Sequence, residues 1–357
     1  MFPLFLFLVA IDTPFIEVKR FAPLPRDPGS FLRQPYSFDF GAEGRLYVTD
    51  RQNNNVVVWN RDGSYLKSFG RRGQGPGELN KPYQIKATET AVYVLDKSKK
   101  ISVFEPDGSF RRSFGVSGRT IRRFAVLNDN LLLVFWHHYA SPTDVRAVFE
   151  LLDGSGKEVR VLDNHAYELL LAPIKGQNNT TMKAYAGDGD IQAAGDGTFY
   201  YGFGYNKRLT HIDSKGEIMG TTDFKLPLET PNAADKQLVE SLTFPGSRGR
   251  RMSFSKLPNL KINFDHDKGY YYQFLIRGDR VLFVLTPLGG TLDIGNGYRA
   301  GTYLACDRET GELLARGSYD YPEDSYVLFK GGRVLGLILN EDGAYTVSEL
   351  MERTSGK

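Results

Sequence analysis

The chain lacks several features that would narrow its class. Its 357 residues include one cysteine, Cys306, so no disulfide can form within the chain and a disulfide-stapled small fold is excluded. The longest apolar run is MFPLFLFLVA at the start of the sequence, and it is too short to span a bilayer. The formal net charge is only +3, which does not by itself argue for a polyanionic partner.

The N-terminal apolar run has the length of a signal-peptide core. No Lys or Arg precedes it, and Leu8-x-Ala10 is a fair cleavage site. We interpret residues 1–14 as a signal-like segment, and the alternative is an N-terminal strand buried in the fold. A signal segment would make this an extracytoplasmic protein, periplasmic or secreted, and one cysteine suits an exported bacterial protein.

Two stretches of the chain repeat each other. Pro35 to Gly70 reads PYSFDFGAEGRLYVTDRQNNNVVVWNRDGSYLKSFG, and Pro82 to Gly115 reads PYQIKATETAVYVLDKSKKISVFEPDGSFRRSFG. The leading Pro-Tyr pairs lie 47 positions apart, and the Asp-Gly turns at Asp62 and Asp107 lie 45 apart. A repeat of this period, built from short strands, is typical of a propeller blade.

Weaker copies of the pattern continue in phase to the end of the chain. They predict an all-β fold, a six-bladed β-propeller with four-stranded antiparallel blades, occupying residues 15–351 and followed by a C-terminal tail at 352–357. The sixth copy is one strand short. We therefore expect Phe15 to Phe21 to pair with the last blade as its outer strand and close the ring, because closure removes exposed sheet edges.

Six blades do not use the whole length, and two insertions hold the surplus, at about 163–188 and 223–268. The first is polar and contains glycine, which predicts a loop. The second contains a candidate helix at 233–242 with Thr230 as its N-cap. Insertions in repeat folds usually emerge on one face, which is often the binding face.

Two local patterns carry specific structural predictions. Val56 to Trp59 is apolar without alternation, which indicates a strand buried on both sides. Asp50 and Asp96 end equivalent strands, where a carboxylate can accept the backbone N–H groups of the following turn. We interpret these two residues as turn-closing rather than catalytic or metal-binding.

Several segments of the first two copies together resemble an NHL repeat. They are the linker Gly73-Gln-Gly-Pro-Gly-Glu-Leu-Asn-Lys-Pro82, the strands Leu46-Tyr-Val-Thr-Asp50 and Asn53-Asn-Asn-Val-Val-Val-Trp59, and the closing Phe69-Gly70. The chain is similar to bacterial six-bladed propellers of the NHL/TolB-like type. That resemblance implies a largely exported group that includes binding scaffolds, RNA-binding modules and metal-dependent enzymes.

We expect a non-enzymatic propeller that binds a protein, peptide or glycan at the channel mouth, without a cofactor or a metal and without a transmembrane span. Aromatic and Arg side chains are good interface anchors. The candidate ligand-binding residues are those that alignment with the first two blades places on inner strands: Tyr36, Ser37, Tyr83, Gln84, Arg122 and Arg123.

Two other functions stay open. The first is a metal-dependent hydrolase or lyase with its site in the channel, although the five histidines do not recur at one blade position. His137 and His138 would face opposite sides of a strand and could not share one ion. The second is RNA binding, although basic pairs such as Arg71-Arg72 and Arg111-Arg112 suit a solvated surface and blocked sheet edges.

Overall fold

The computed structural model describes residues 15–22, 32–116, 118–141, 144–166, 171–173, 180–183, 189–204, 206–227, 230, 232–233, 236–237, 243–245, 251–253, 260–263, 273–285, 300–320, 325–330, 333–339 and 345–352. The predicted signal-like segment, 1–14, lies outside these residues. Within them, no helix is both long enough and apolar enough to cross a lipid bilayer.

Six four-stranded antiparallel sheets form the blades of the propeller. The last blade includes the first strand of the chain, β1 (Phe15–Arg20). Blade 1 is made of β2 (Pro35–Phe40), β3 (Leu46–Asp50), β4 (Asn55–Trp59) and β5 (Tyr65–Phe69), with a 3-10 turn at Ala42–Gly44. Blade 2 is made of β6 (Gln84–Ala87), β7 (Val92–Leu95), β8 (Lys100–Phe104) and β9 (Phe110–Gly115). Blade 3 is made of β10 (Thr120–Asn128), β11 (Leu131–Ser141), β12 (Asp144–Asp153) and β13 (Glu158–Ala166).

The other three blades follow the same meander. Strands β14 (Leu171–Pro173) and β15 (Thr180–Lys183) precede blade 4, which is made of β16 (Gly189–Ala193), β17 (Phe199–Phe203), β18 (Arg208–Ile212) and β19 (Ile218–Asp223). Strands β20 (Thr243–Pro245), β21 (Arg251–Ser253) and β22 (Leu260–Asn263) precede blade 5, which is made of β23 (Gln273–Arg277), β24 (Arg280–Leu285), β25 (Ala300–Asp307) and β26 (Leu313–Asp320). Blade 6 is made of β27 (Ser325–Lys330), β28 (Arg333–Leu339), β29 (Tyr345–Glu352) and β1.

The blades form a closed ring. The innermost strands contact one another in the order β2, β6, β10, β16, β23 and β27, and β27 contacts β2 again. Side chains on these strands join neighbouring blades: the Ala87 amide donates to Asp39 at 3.1 Å, and the Phe274 amide donates to Asp190 at 3.1 Å. These bonds satisfy inner-strand amides that have no partner strand on the channel side.

The chain ends close the ring as the sequence predicts. Strand β1 pairs antiparallel with β29 and is the outermost strand of blade 6. The residues after it continue toward blade 1, where the indole of Trp59 donates to the Ala22 carbonyl at 2.8 Å and its ring meets that of Phe21 edge to face. The prediction of non-covalent closure is confirmed.

Packing between blades explains the apolar run on β4. Val56, Val57, Val58 and Trp59 are at most 1% exposed. Val57 and Trp59 belong to the core shared with blade 6, and Val56 and Val58 belong to the core shared with blade 2. The strand therefore has two buried faces, and each fully buried aliphatic side chain contributes about 1.5–3 kcal/mol.

The insertions contain more strand than the sequence predicts. Strands β14 and β15 from the first insertion form a three-stranded sheet with β22 from the second, and β15 pairs parallel with β22. A loop prediction for 163–188 is therefore incomplete. In the predicted helix 233–242, the described residues 233, 236 and 237 are helical, and the Lys236 amide donates to the Asn232 carbonyl; the remainder lies outside the described residues.

Glycine is required where a turn of one blade touches the next. Gly311, between β25 and β26, has φ +72, and a Cβ there would lie 2.1 Å from the Asp223 carbonyl oxygen of blade 4. Gly195 has φ +84 but no atom near its missing Cβ within 4 Å. We expect Gly195→Ala to cost about 1 kcal/mol from backbone conformation alone, and Gly311→Ala to cost about 2–4 kcal/mol because the clash adds to that strain.

Urea unfolding of the two alanine variants measures this difference. Gly195→Ala is the matched control, because it imposes the same left-handed conformation without a contact. Equal midpoints for the two variants would contradict the assigned inter-blade contact.

Candidate ligand-binding pocket

A pocket of about 420 Å³ lies at one end of the first three blades. The antiparallel register places Pro35 opposite Asp50 and Gln84 opposite Leu95. The start of each inner strand therefore lies beside the turn that follows the second strand. We call the pocket at this end the basic pocket, because six of its lining residues are cationic. They are Arg51, Lys97, Lys99, Arg119, Arg122 and Arg123.

Two buried aspartates hold the turns that carry part of this lining. Asp50 accepts backbone N–H bonds from Arg33 at 2.7 Å and Gln34 at 3.1 Å, and it also caps the following turn through Gln52 and Asn53. Burial raises the pKa of the Asp50 carboxyl, and these backbone hydrogen bonds oppose that rise. The prediction of a turn-closing role is confirmed, and the bonds fix Arg51 at the pocket.

Asp96 does the same in the second blade. It accepts the Asn80 amide at 3.0 Å and the Ser98 amide at 2.8 Å, so one carboxylate joins the linker before the inner strand to the turn after the second strand. Burial raises the pKa of Asp96, again against backbone hydrogen bonds. Lys97 follows Asp96 as Arg51 follows Asp50, which places the two cations equivalently in adjacent blades.

Two tyrosines form the aromatic part of the pocket. The rings of Tyr36 and Tyr83 meet edge to face, with centroids 6.3 Å apart and an interplanar angle of 86°. The Tyr83 hydroxyl donates to the Ile121 carbonyl at 3.3 Å, and burial raises its pKa well above the ordinary value. The Arg51 guanidinium lies 5.1 Å from the centroid of the Tyr36 ring, a favourable cation–π distance.

Two of the cations are paired with buried carboxylates behind the lining. Arg119 donates two hydrogen bonds to Glu150, at 2.7 and 2.5 Å, and the Glu150 side chain is 0% exposed. These hydrogen bonds raise the pKa of the Arg119 guanidinium. Arg123 lies 3.5 Å from Asp190, which is buried on the inner strand of blade 4. Both pairs fix a guanidinium at the pocket and neutralise its charge.

All the charged residues that line the pocket are cationic. Among the residues that the structure describes, the lining contains no Asp or Glu, and no ion pair involves Arg51, Lys97 or Lys99. Lys97 and Lys99 are exposed at the rim. A concave site lined by one sign of charge concentrates ligands of the opposite sign.

The structure brings five of the six sequence-derived candidates together. Tyr36, Tyr83, Gln84, Arg122 and Arg123 line the basic pocket. The sixth candidate does not: Ser37 is buried, and its hydroxyl accepts the Ile85 amide at 3.4 Å between blades 1 and 2. The register of β2 against β3 shifts between Pro35 and Ser37, and both Tyr36 and Ser37 contact the second blade, Tyr36 through Tyr83 and Ser37 through Ile85.

Sequence reasoning missed six of the lining residues. They are Arg51, Lys97, Lys99, Arg119, Thr120 and the apolar Ile121. A signal for two of them was present, since Asp50-Arg51 and Asp96-Lys97 occupy the same place in the repeat. Comparing basic positions between blades, and not only inner strands, would have found that pair.

The histidines do not converge. His137 is buried and its neighbour His138 is exposed, as their positions on one strand predict. His211 stacks on Tyr200 and bonds to Thr198, and His165 contacts Asp163 on the outer strand of blade 3. His266 lies outside the described residues. In the part of the chain that the structure describes, no group of three His, Cys, Asp or Glu side chains is arranged to hold a metal ion.

Comparison with known proteins agrees with the observed architecture. A family model described as DUF5128, 6-bladed beta-propeller, matches residues 32–186, which include the first three blades and the basic pocket. A search of curated proteins finds no match. The chain is a six-bladed β-propeller, and the match covers less than half of its length.

Two solved structures share the fold over nearly the full length of both chains. A Bacteroides fragilis protein whose name marks it as a candidate exported protein is 12% identical, with 95% of this chain and 96% of that one covered and a TM-score of 0.54. A member of the DUF4221 family from Bacteroides vulgatus is 10% identical, with 94% and 97% covered and a TM-score of 0.51. At these identities the likeness concerns the fold alone.

Proposed function

We propose that this protein is an exported, non-enzymatic binding module that holds a protein, peptide or glycan ligand in the basic pocket. The observation that carries the proposal is the convergence of side chains from three blades on one cavity. Its volume of about 420 Å³ falls within the range of small-ligand sites, about 300–1,000 Å³. Aromatic and Arg side chains, the usual anchors of binding sites, line it together.

The rigidity of the lining also favours binding. The two paired guanidiniums, the tyrosine hydroxyl and the two aspartate-capped turns each have defined partners within the fold. A site of this kind loses little side-chain entropy when a ligand binds, because its geometry is formed beforehand. The ligand therefore needs to supply fewer contacts for a given affinity.

Export and NHL-like character are part of the same proposal. Export is supported by the apolar N-terminal segment, residues 1–14, and by the fold shared with the Bacteroides fragilis protein named for export. NHL-like character is supported by the Gly73–Pro82 linker and by the two matching repeats around it. Appearance of the processed chain outside the cytoplasm would test export.

Binding is tested with arrays of glycans and peptides. The variant Tyr36→Ala/Arg122→Ala removes one aromatic and one cationic anchor from the pocket, and we expect it to lose at least about tenfold in affinity for any ligand that the natural chain binds. A control variant, Lys157→Gln/Arg280→Gln, changes two exposed residues in hairpins at the opposite end of the ring. Ligands retained by the pocket variant and lost by the control would contradict the proposal.

A further inference from the structure

We infer that the basic pocket binds an acidic saccharide, a sugar unit that carries carboxylate or sulfate groups. This inference rests on the proposed binding function and names its ligand class. It depends on three properties of the pocket, which are its charge, its aromatic surface and the state of the neighbouring strand edges.

The charge of the lining favours an anionic ligand. Arg119 and Arg123 are paired with buried carboxylates, whereas the lining residues Arg51, Lys97 and Lys99 take part in no ion pair among the described residues. Lys97 and Lys99 stand at the rim, where they meet a ligand before it enters. Planar guanidinium groups recognise carboxylate and sulfate oxygens through two parallel N–H bonds, and a ligand with anionic groups would use that geometry.

The aromatic and polar groups favour a ring-shaped ligand. Tyr36 and Tyr83 both line the pocket and are nearly perpendicular, so two aromatic rings meet at a corner of it. A pyranose ring has an apolar C–H face and a polar rim, and it can contact one phenol ring while its hydroxyls reach amide and hydroxyl groups. Gln84 and Thr120 supply those groups in the lining.

The neighbouring strand edges argue against an acidic peptide. Extended peptides are commonly bound by main-chain hydrogen bonds to a free strand edge. Here the inner strand of blade 2 already donates its Ile85 and Ala87 amides to Ser37 and Asp39 of blade 1. A peptide would have to bind through side chains alone and would lose more conformational freedom than a rigid sugar.

Calorimetric titration of the full chain tests the inference. The probes are trigalacturonate for the carboxylate, a heparin-derived sulfated disaccharide for the sulfate, maltotriose as the neutral sugar, and penta-aspartate as the acidic peptide. We expect one or both acidic sugars to bind more tightly than maltotriose and penta-aspartate. Their affinity should fall with added salt, because salt screens charges at an exposed rim.

Lys97→Gln/Lys99→Gln is the decisive variant, since both side chains are exposed and we expect their replacement to leave the fold intact. We expect it to weaken acidic-sugar binding about fivefold to thirtyfold. Lys157→Gln/Arg280→Gln removes the same net charge at the opposite end of the ring and should change the affinity less than about twofold. Equal losses of acidic-sugar affinity in the two variants would mean that the sugar is attracted non-specifically by the charge of the whole protein, and this would overturn the inference.

The remaining outcomes separate this inference from the proposed function. If maltotriose or penta-aspartate binds best and the Tyr36→Ala/Arg122→Ala variant loses it, the binding function stands and the acidic-sugar inference is wrong. If neither the probes nor the arrays yield a ligand that depends on pocket residues, both are wrong.

Discussion

Removal of residues 1–22 lowers the stability of the propeller by on the order of 5 kcal/mol or more. The deletion takes away β1, leaving β29 as an open edge in the last blade. It also removes Phe21, whose side chain is 4% exposed, and the Ala22 carbonyl that accepts the Trp59 indole. An open edge further exposes the sheet to association with other chains, so we expect aggregation together with a lower unfolding midpoint.

Point variants in the full-length chain separate packing from chain length. Phe21→Ala should cost about 3–5 kcal/mol, as for other buried phenylalanines. Val18→Ala on the adjoining strand β1 is the matched control: Val18 is 48% exposed, so its truncation should cost less than about 0.5 kcal/mol. Chemical unfolding measures both, and a truncated chain as stable as the full one would refute closure by the two ends.

The second large effect concerns the ion pair between Arg123 and Asp190. The Asp190 carboxyl is buried, and it accepts hydrogen bonds from Gln192 and from the Phe274 amide. Replacing Arg123 by Met leaves that carboxylate buried without its counter-charge. Breaking such a pair costs about 3–5 kcal/mol, and we expect a loss of that size in urea unfolding at about pH 7.

The loss should depend on pH in a defined direction. Burial raises the pKa of Asp190 above its ordinary value, and Arg123 opposes the rise. Removing Arg123 therefore raises the pKa further, and the folded variant takes up a proton at a higher pH than the natural protein does. The loss of folding free energy caused by the buried Asp190 carboxylate is fully present above the folded-state pKa of Asp190 in the variant. It shrinks as the pH falls through that pKa toward the unfolded value of 3.8.

A double variant distinguishes this cause from lost packing. Arg123→Met/Asp190→Asn has no buried charge and should be more stable than Arg123→Met alone near neutral pH. If the difference in free energy of unfolding between the natural protein and Arg123→Met stays constant with pH, the electrostatic explanation is wrong. Additive losses from the two substitutions would contradict it as well.

Local patterns in the sequence predict the blades well, because each blade is built from contacts close along the chain. Val56 to Trp59 indicates a doubly buried strand, and Asp50 and Asp96 indicate capped turns; both interpretations are confirmed. Even the closing strand is predictable, since Phe15 to Phe21 has strand character and the sixth unit lacks one strand.

Contacts between distant segments could not be predicted in the same way. Strand β15 pairs with β22 although a complete blade separates them in sequence, and neither segment has a local pattern that names its partner. The pocket was predicted only in part, because it is also assembled from segments that lie far apart in the sequence. Tyr36 and Tyr83 follow from the repeat, but Arg119 enters at the start of the third blade, where the repeat has decayed.

The register of β1 against β29 fixes how the molecule would be oriented on a support. Phe15 lies opposite Glu352, and β29 ends at the side of the disc away from the starts of the inner strands. A tag or matrix joined near either residue would therefore attach on the far side. A chain immobilised by either route would present the basic pocket outward to the solution, and biosensor measurements could use both attachments interchangeably.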